Sequence, residues 1–203
     1  MPIFRRNLHG KDFFLWKNLI ASLTHLCHNE TMERERTCCF TGHRAEKLPW
    51  RNNDRDMGCL RLKTAIADVL SGLYAAGYRH FICGMATGAD IYFGEAVVAL
   101  RDEHPDVTLE AAIPHAGQEE RWPAYWKQRY FRLAEECDKL TVLHQSYTPD
   151  CMMDRNRYMV DASRVLVAVY NGAPGGTRNT MLYAMRQGLE IIELSVEGKM
   201  QAY

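Results

Sequence analysis

The chain has 203 residues, 47% apolar and 25% charged, enough for one sizeable core and ordinary for a globular protein. Lys plus Arg and Asp plus Glu number 25 each, so no global basic field draws it to nucleic acid or to an anionic membrane. Seven cysteines, an odd number with no CxxC pair, argue against a disulfide scaffold and a zinc site, and read as small reduced hydrophobes of a cytoplasmic protein.

Residues 1–31 stand apart from the rest. Lys17, Asn18 and His25 interrupt the apolar stretch from Phe13 to Leu26, which is too broken to span a membrane. No persuasive small-residue cleavage site marks it as a signal peptide. His25, Cys27 and His28 lack a second cluster with which to hold a metal. Two readings stand: an amphipathic helix that docks on the domain or on a partner, or an extension upstream of a start at Met32. The domain proper is 32–203.

From Thr37 onward strands and helices alternate. "TCCFTG" reads as a strand ending at Gly42. Leu60 to Ala76 reads as a helix, with Leu62, Ile66, Val69, Leu70 and Leu73 on one face and Gly77 ending it. "RHFICG" is a strand, Ala89 to Leu100 a helix, and "VTLEAAIP" a strand broken by Pro114. Trp122 to Glu136 is a helix with Pro123 in its first turn. "KLTVLH" is a strand, Met152 to Asp161 a helix, and "RVLVAVY" a strand apolar enough to be buried on both faces. Gly176 to Gln187 is a helix and "EIIEL" the final strand. This order predicts an α/β fold: a doubly wound, mostly parallel Rossmann-like sheet with helices on both faces. Such sheets bind ligands beyond the carboxyl ends of their strands, where the strand order reverses.

The candidate site residues therefore follow the strands. Gly42 permits a tight exit from the first, and His43 and Arg44 come next; arginine's planar fork suits phosphate or carboxylate. After the second strand, Gly84 and Gly88 let the backbone turn and approach a ligand, and Asp90 falls in the first turn of a helix. Asp90 either complements the helix dipole or accepts hydrogen bonds from a ribose or base. After the third, Gln118 and Trp122 share a helix face if the helix starts early enough; either Gln118 reads a base on which Trp122 stacks, or Trp122, like Trp126, packs the helix against the core. His115 reads as a solvent-facing loop histidine. After the fourth, the adjacent Arg155 and Asn156 either face the crevice or form a solvated charged face. After the fifth, Gly172, Pro174, Gly175 and Gly176 precede Thr177, a residue able to cap the next helix. Two glycine-rich strand-to-helix turns offer two anion cradles. Neither is a Walker loop or a GxGxxG fingerprint.

From Thr37 to about Leu194 these turns, in this order, resemble the SLOG superfamily, which includes LOG-type nucleoside-monophosphate phosphoribohydrolases and the DNA-processing protein DprA. "GMATGAD" resembles a DprA turn, and "GHRAEKLPW", "RNRYMVD" and "GGTRNTMLYA" resemble the YpsA-like branch. The resemblance implies a Rossmann-like pocket for a nucleotide or nucleotide-derived ligand, lined by Gly42, Arg44, Gly84, Gly88, Asp90, Gly175, Gly176 and Thr177. Chains of that branch usually begin just before the first strand, as a start at Met32 would. LOG enzymes carry an acid after their Gly-Thr, whereas Thr177 is followed here by Arg178, Asn179 and Thr180.

The leading expectation is thus a nucleotide-binding or nucleotide-sensing protein that requires no cofactor. The alternative is an N-glycosidase or phosphoribohydrolase with Asp90 as the catalytic residue, the anionic neighbour of an oxocarbenium-like transition state beside an activated water. A second alternative is single-stranded DNA binding as in DprA, which the zero net charge disfavours. The expected partner is a small nucleotide-like molecule. Tyr125 and Tyr130 would serve either a homo-oligomer interface or core packing.

Overall fold

A computed structural model describes residues 33–202, and the readings of residues 1–31 lie outside it. The compact unit that begins at Glu35 holds seven strands and five α-helices among the described residues. Strand β1 (Thr37–Thr41) leads through a 3-10 turn (Ala45–Lys47) to α1 (Met57–Ala75), β2 (His80–Cys83), α2 (Ala89–Glu103) and β3 (Thr108–Ile113). The chain continues as α3 (Ala124–Glu136), β4 (Lys139–Val142), α4 (Cys151–Asp161), β5 (Val165–Tyr170), α5 (Gly176–Arg186), β6 (Glu190–Ser195) and β7 (Met200–Ala202).

The strands lie in the order β4-β3-β2-β1-β5-β6-β7. The first six are parallel, and β7 runs antiparallel to β6. With a side-chain period of two, alternate residues of each strand reach the helix layers on the two faces of the sheet. Val165, Val167 and Val169 of β5 enter one core cluster, while Leu166 and Ala168 enter a second. Cys38 and Cys39 part in the same way, both fully buried. The first cluster holds the apolar stripes of α1, α2 and α3, including Leu62, Ile66, Phe93 and Trp126. The second holds Met159 and Val160 of α4 and Met181 and Ala184 of α5. Phe40 stacks on Phe93 at 4.4 Å between ring centroids, both fully buried; burying each such ring is worth roughly 1.5–3 kcal/mol.

Two helix starts and one strand stand out among the differences from the sequence reading. Helix α1 begins at Met57 rather than Leu60, because Asp56 caps it: its Oδ1 accepts the Gly58 N–H at 2.7 Å. Helix α3 begins at Ala124 rather than Trp122. Strand β7 was not foreseen. It is too short to show an alternation, and its turn is made locally, with Ser195 Oγ accepting the amides of Glu197 and Lys199.

The strand order places the crevice. From β1 the chain steps outward through β2, β3 and β4, then returns to the other side of β1 as β5. The loops after β1 and β5 therefore lead to helices on opposite faces and diverge, leaving an opening at the carboxyl ends of these two strands.

Candidate functional site

Three residues leave β1 into this opening. A Cβ on Gly42 would stand 2.6 Å from that of Ala89, so its bare backbone lets α2 pack close. His43 is 5% exposed, and among the described residues its Nε2 has no hydrogen-bond partner. Burial holds its imidazole below the ordinary value, with the Asn171 side chain opposing, so it is neutral at pH 7. A buried, unpaired ring nitrogen costs about 1–3 kcal/mol, a cost that a ligand would relieve. Arg44 is exposed and reaches toward α4, its Nη2 3.9 Å from Met152 Sδ.

The bend after β2 is filled from within. A Cβ on Gly84 would overlap Arg155 Nη1. The space that the sequence reading assigned to a ligand is therefore taken by a guanidinium from α4. Arg155 is 7% exposed, and its Nη1 donates to the Gly84 carbonyl. Gly88, at φ +89°, lies against the β1 loop, where a Cβ would stand 2.8 Å from the His43 carbonyl. That carbonyl also accepts the Ala89 N–H at 3.1 Å. Asp90 is 4% exposed, and one of its oxygens accepts the Ala86 N–H at 3.2 Å. Burial raises its pKa, with the Arg155 charge pulling the other way.

The bend after β5 is open. Among the described residues, a Cβ on Gly172 or Gly176 would meet nothing within 4 Å, and one on Gly175 only Lys47 Nζ at 3.5 Å. Gly175 holds φ +151°, a conformation closed to residues with a side chain, and is the N-cap of α5. No side chain caps that helix. Thr177, expected to do so, is instead buried inside its first turn. The first amides of α5, those of Gly176, Thr177 and Arg178, thus have no partner within the helix, and the dipole makes this end mildly positive. No ion pair among the described residues involves Arg44, Lys47 or Arg178.

A chain of hydrogen bonds joins the two bends. Arg155 Nη1 donates to the Gly84 carbonyl and Nε to Asn156 Oδ1 at 2.8 Å. Asn156 Nδ2 donates to Thr180 Oγ1 at 2.8 Å, and that hydroxyl donates to the Gly176 carbonyl at 2.9 Å. Arg155 and Asn156 are buried and spend these bonds on the chain itself. They brace the start of α5 against the end of β2.

Gln118 and Trp122 lie elsewhere. Because α3 starts at Ala124, both sit in the preceding turn and share no helix face. They follow β3, two strands from β1. Trp122 packs edge-on against Tyr130 at 5.6 Å beside the core. Gln118 is buried, with Nε2 unpartnered. Tyr130 is core, while Tyr125 is 39% exposed beside Arg129. Sequence reasoning missed Lys47 and Asn171, which border the open bend. The alternation gave no hint of the 3-10 turn that carries Lys47; Asn171, directly after β5, stood in view beside the glycines.

Comparison with known proteins agrees with this architecture. The model of the YspA SLOG family matches residues 38–195. A Bacillus subtilis (strain 168) protein called "Uncharacterized SPbeta prophage-derived protein YoqJ" is 34% identical over 140 residues, covering 63% of this chain and 82% of that one. The UPF0398 protein YpsA of the same strain is 24% identical over 145 residues, covering 70% of this chain and 80% of its own length. The solved structure of DNA processing protein A from Helicobacter pylori, described for its single-stranded DNA binding mode, superposes with a TM-score of 0.54 at 14% identity. That likeness covers 82% of this chain and 67% of the other, and concerns the fold.

Proposed function

This chain belongs to the YspA SLOG family, and on that premise we propose that it binds or senses a nucleotide or nucleotide-derived ligand in the crevice between β1 and β5. The ligand's phosphate, or an equivalent anion, is held by the bend after β5 and the first amides of α5. One observation carries this reading. Among the described residues, an uncapped helix terminus lies behind open glycines, beside a buried histidine whose Nε2 is unpartnered and near Lys47, which forms no ion pair. Helix termini of this kind hold anions through oriented N–H groups. The brace from Gly84 to Gly176 supports the terminus without a ligand present, which lowers the ordering cost of binding.

The reading is of binding, not hydrolysis. The acid that LOG-type enzymes carry after their Gly-Thr is absent behind Thr177, and Asp90 is buried with its carboxylate engaged by the chain. Calorimetry of the folded protein against inorganic pyrophosphate, nucleoside mono- and diphosphates and ADP-ribose tests the proposal. Saturable binding of at least one supports it, and no heat from any member of the panel defeats it.

The likeness to a single-stranded DNA-binding protein favours a second reading, in which the same cradle takes the phosphates of a strand. That mode requires affinity for an oligonucleotide that falls steeply with salt. A gel shift flat even at low salt would dispose of it.

A further inference from the structure

We propose that the organic end of the ligand, its base and sugar, lies in a cleft on the β6 side of the crevice, with Lys47 spanning anion site and cleft. This rests on the anion reading above and adds where the rest of the molecule goes. From the bend after β5 a bound molecule has two ways to extend. Toward β2 the way is closed: Arg155 fills the space at Gly84, the β1 loop packs against Gly88, and Trp122 is spent on Tyr130. Toward β6 lies a cleft of about 490 Å³, bounded by the turn after β1, the start of α1 and the segments that follow β5 and β6. That volume falls within the ~300–1,000 Å³ typical of small-molecule sites.

The cleft is continuous with the anion cradle through two residues. Lys47 lines it, and its Nζ stands 3.5 Å from the position a Gly175 Cβ would take. Asn171 also lines it and opens the β5 loop. Met57 and Val196 supply apolar surface for a base, and the largely buried Trp50 also lines the cleft. Met57 is 63% exposed, an apolar and adaptable side chain at the start of α1. Arg61 adds a planar fork that forms no ion pair among the described residues, suited to stacking or to hydrogen bonds with a base edge. A nucleoside diphosphate fits this layout: pyrophosphate at the bend under Lys47, base against Met57 and Val196.

The test uses the full chain, calorimetry and two probes, inorganic pyrophosphate and ADP. Wild-type protein is expected to bind ADP at least ~10-fold more tightly than pyrophosphate. Met57→Trp, at an exposed position, should fill the cleft and weaken ADP by about 10-fold while leaving pyrophosphate within about twofold. Arg61→Ala should repeat that selective pattern, and Lys47→Ala should weaken both probes. Circular dichroism and melting temperature verify that each variant is folded. Equal affinity for the two probes, or ADP binding indifferent to both Met57→Trp and Arg61→Ala, overturns the cleft assignment and leaves the anion site standing. Failure of wild-type protein to bind either probe overturns the cleft assignment, and the anion reading then stands or falls on the full panel.

Discussion

Replacing Asn156 by alanine should cut the brace between the two bends at its middle. Asn156 is 8% exposed, accepts from Arg155 Nε and donates to Thr180 Oγ1. The substitution leaves a charged donor buried without its acceptor, about 1.5–3 kcal/mol, and removes a neutral bond worth about 0.5–1.5 kcal/mol. The expected loss is roughly 2–4 kcal/mol. At about 2–4 °C per kcal/mol for a domain of this size, the melting temperature should fall by roughly 5–15 °C. Urea unfolding supplies the free energy, read as a lower midpoint at unchanged slope. Thr180→Val alone and in combination completes a double-mutant cycle, and a shared network predicts a coupling of at least ~0.5 kcal/mol. A loss below ~0.5 kcal/mol for Asn156→Ala, or strict additivity with Thr180→Val, would refute the brace.

Three further outcomes follow from the same geometry. Glu110, 1% exposed, accepts from Thr141, Tyr158 and Lys139 and faces His80; burial alone would raise its pKa, but these bonds, led by His80, pull it from 4.5 down to about 2. Its stabilisation, on the order of 3 kcal/mol, is complete above pH 4.5 and lost as pH falls toward 2; urea midpoints across that window should show the decline in wild type and a flatter one in Glu110→Gln, and identical slopes would contradict the assignment. Arg129 pairs with Asp54 and Glu95 and lies over the rings of Tyr92, Tyr125 and Trp126, so Arg129→Met should cost about 1–3 kcal/mol and speed proteolysis of the loop around Asp54; an unchanged digestion pattern would speak against that role. Gly175→Val should weaken pyrophosphate binding at least ~10-fold, whereas Gly72→Ala, at a helical position with nothing within 4 Å, should leave it unchanged.

Much of the fold was legible because its signals are local. The near-continuous apolar run of β5 and the stripe from Leu62 to Leu73 are each read within a few residues, and both lie buried as their patterns require. The glycine-rich bends were equally visible, since a glycine after a strand is a statement about backbone. Their occupancy was not. Whether the space at Gly84 admits a ligand depends on Arg155, 71 residues further along the chain. The link from Asn156 to Thr180 crosses 24 residues. No periodicity reports such encounters, which arise only once α4 and α5 share one face of the sheet. The helix face expected to hold Gln118 and Trp122 was lost for a simpler reason: the helix begins at Ala124, and the Trp122 ring packs on Tyr130, the core-packing alternative.

The most direct test of the anion cradle is an amide-resolved NMR titration of the folded protein with inorganic pyrophosphate. Saturable shifts should concentrate at the backbone amides of Gly176, Thr177 and Arg178 and at the His43 ring, with Ala89 and Asp90 nearly still. Shifts confined to Ala89 and Asp90, with the start of α5 unmoved, would place the anion at the wrong bend and contradict the assignment.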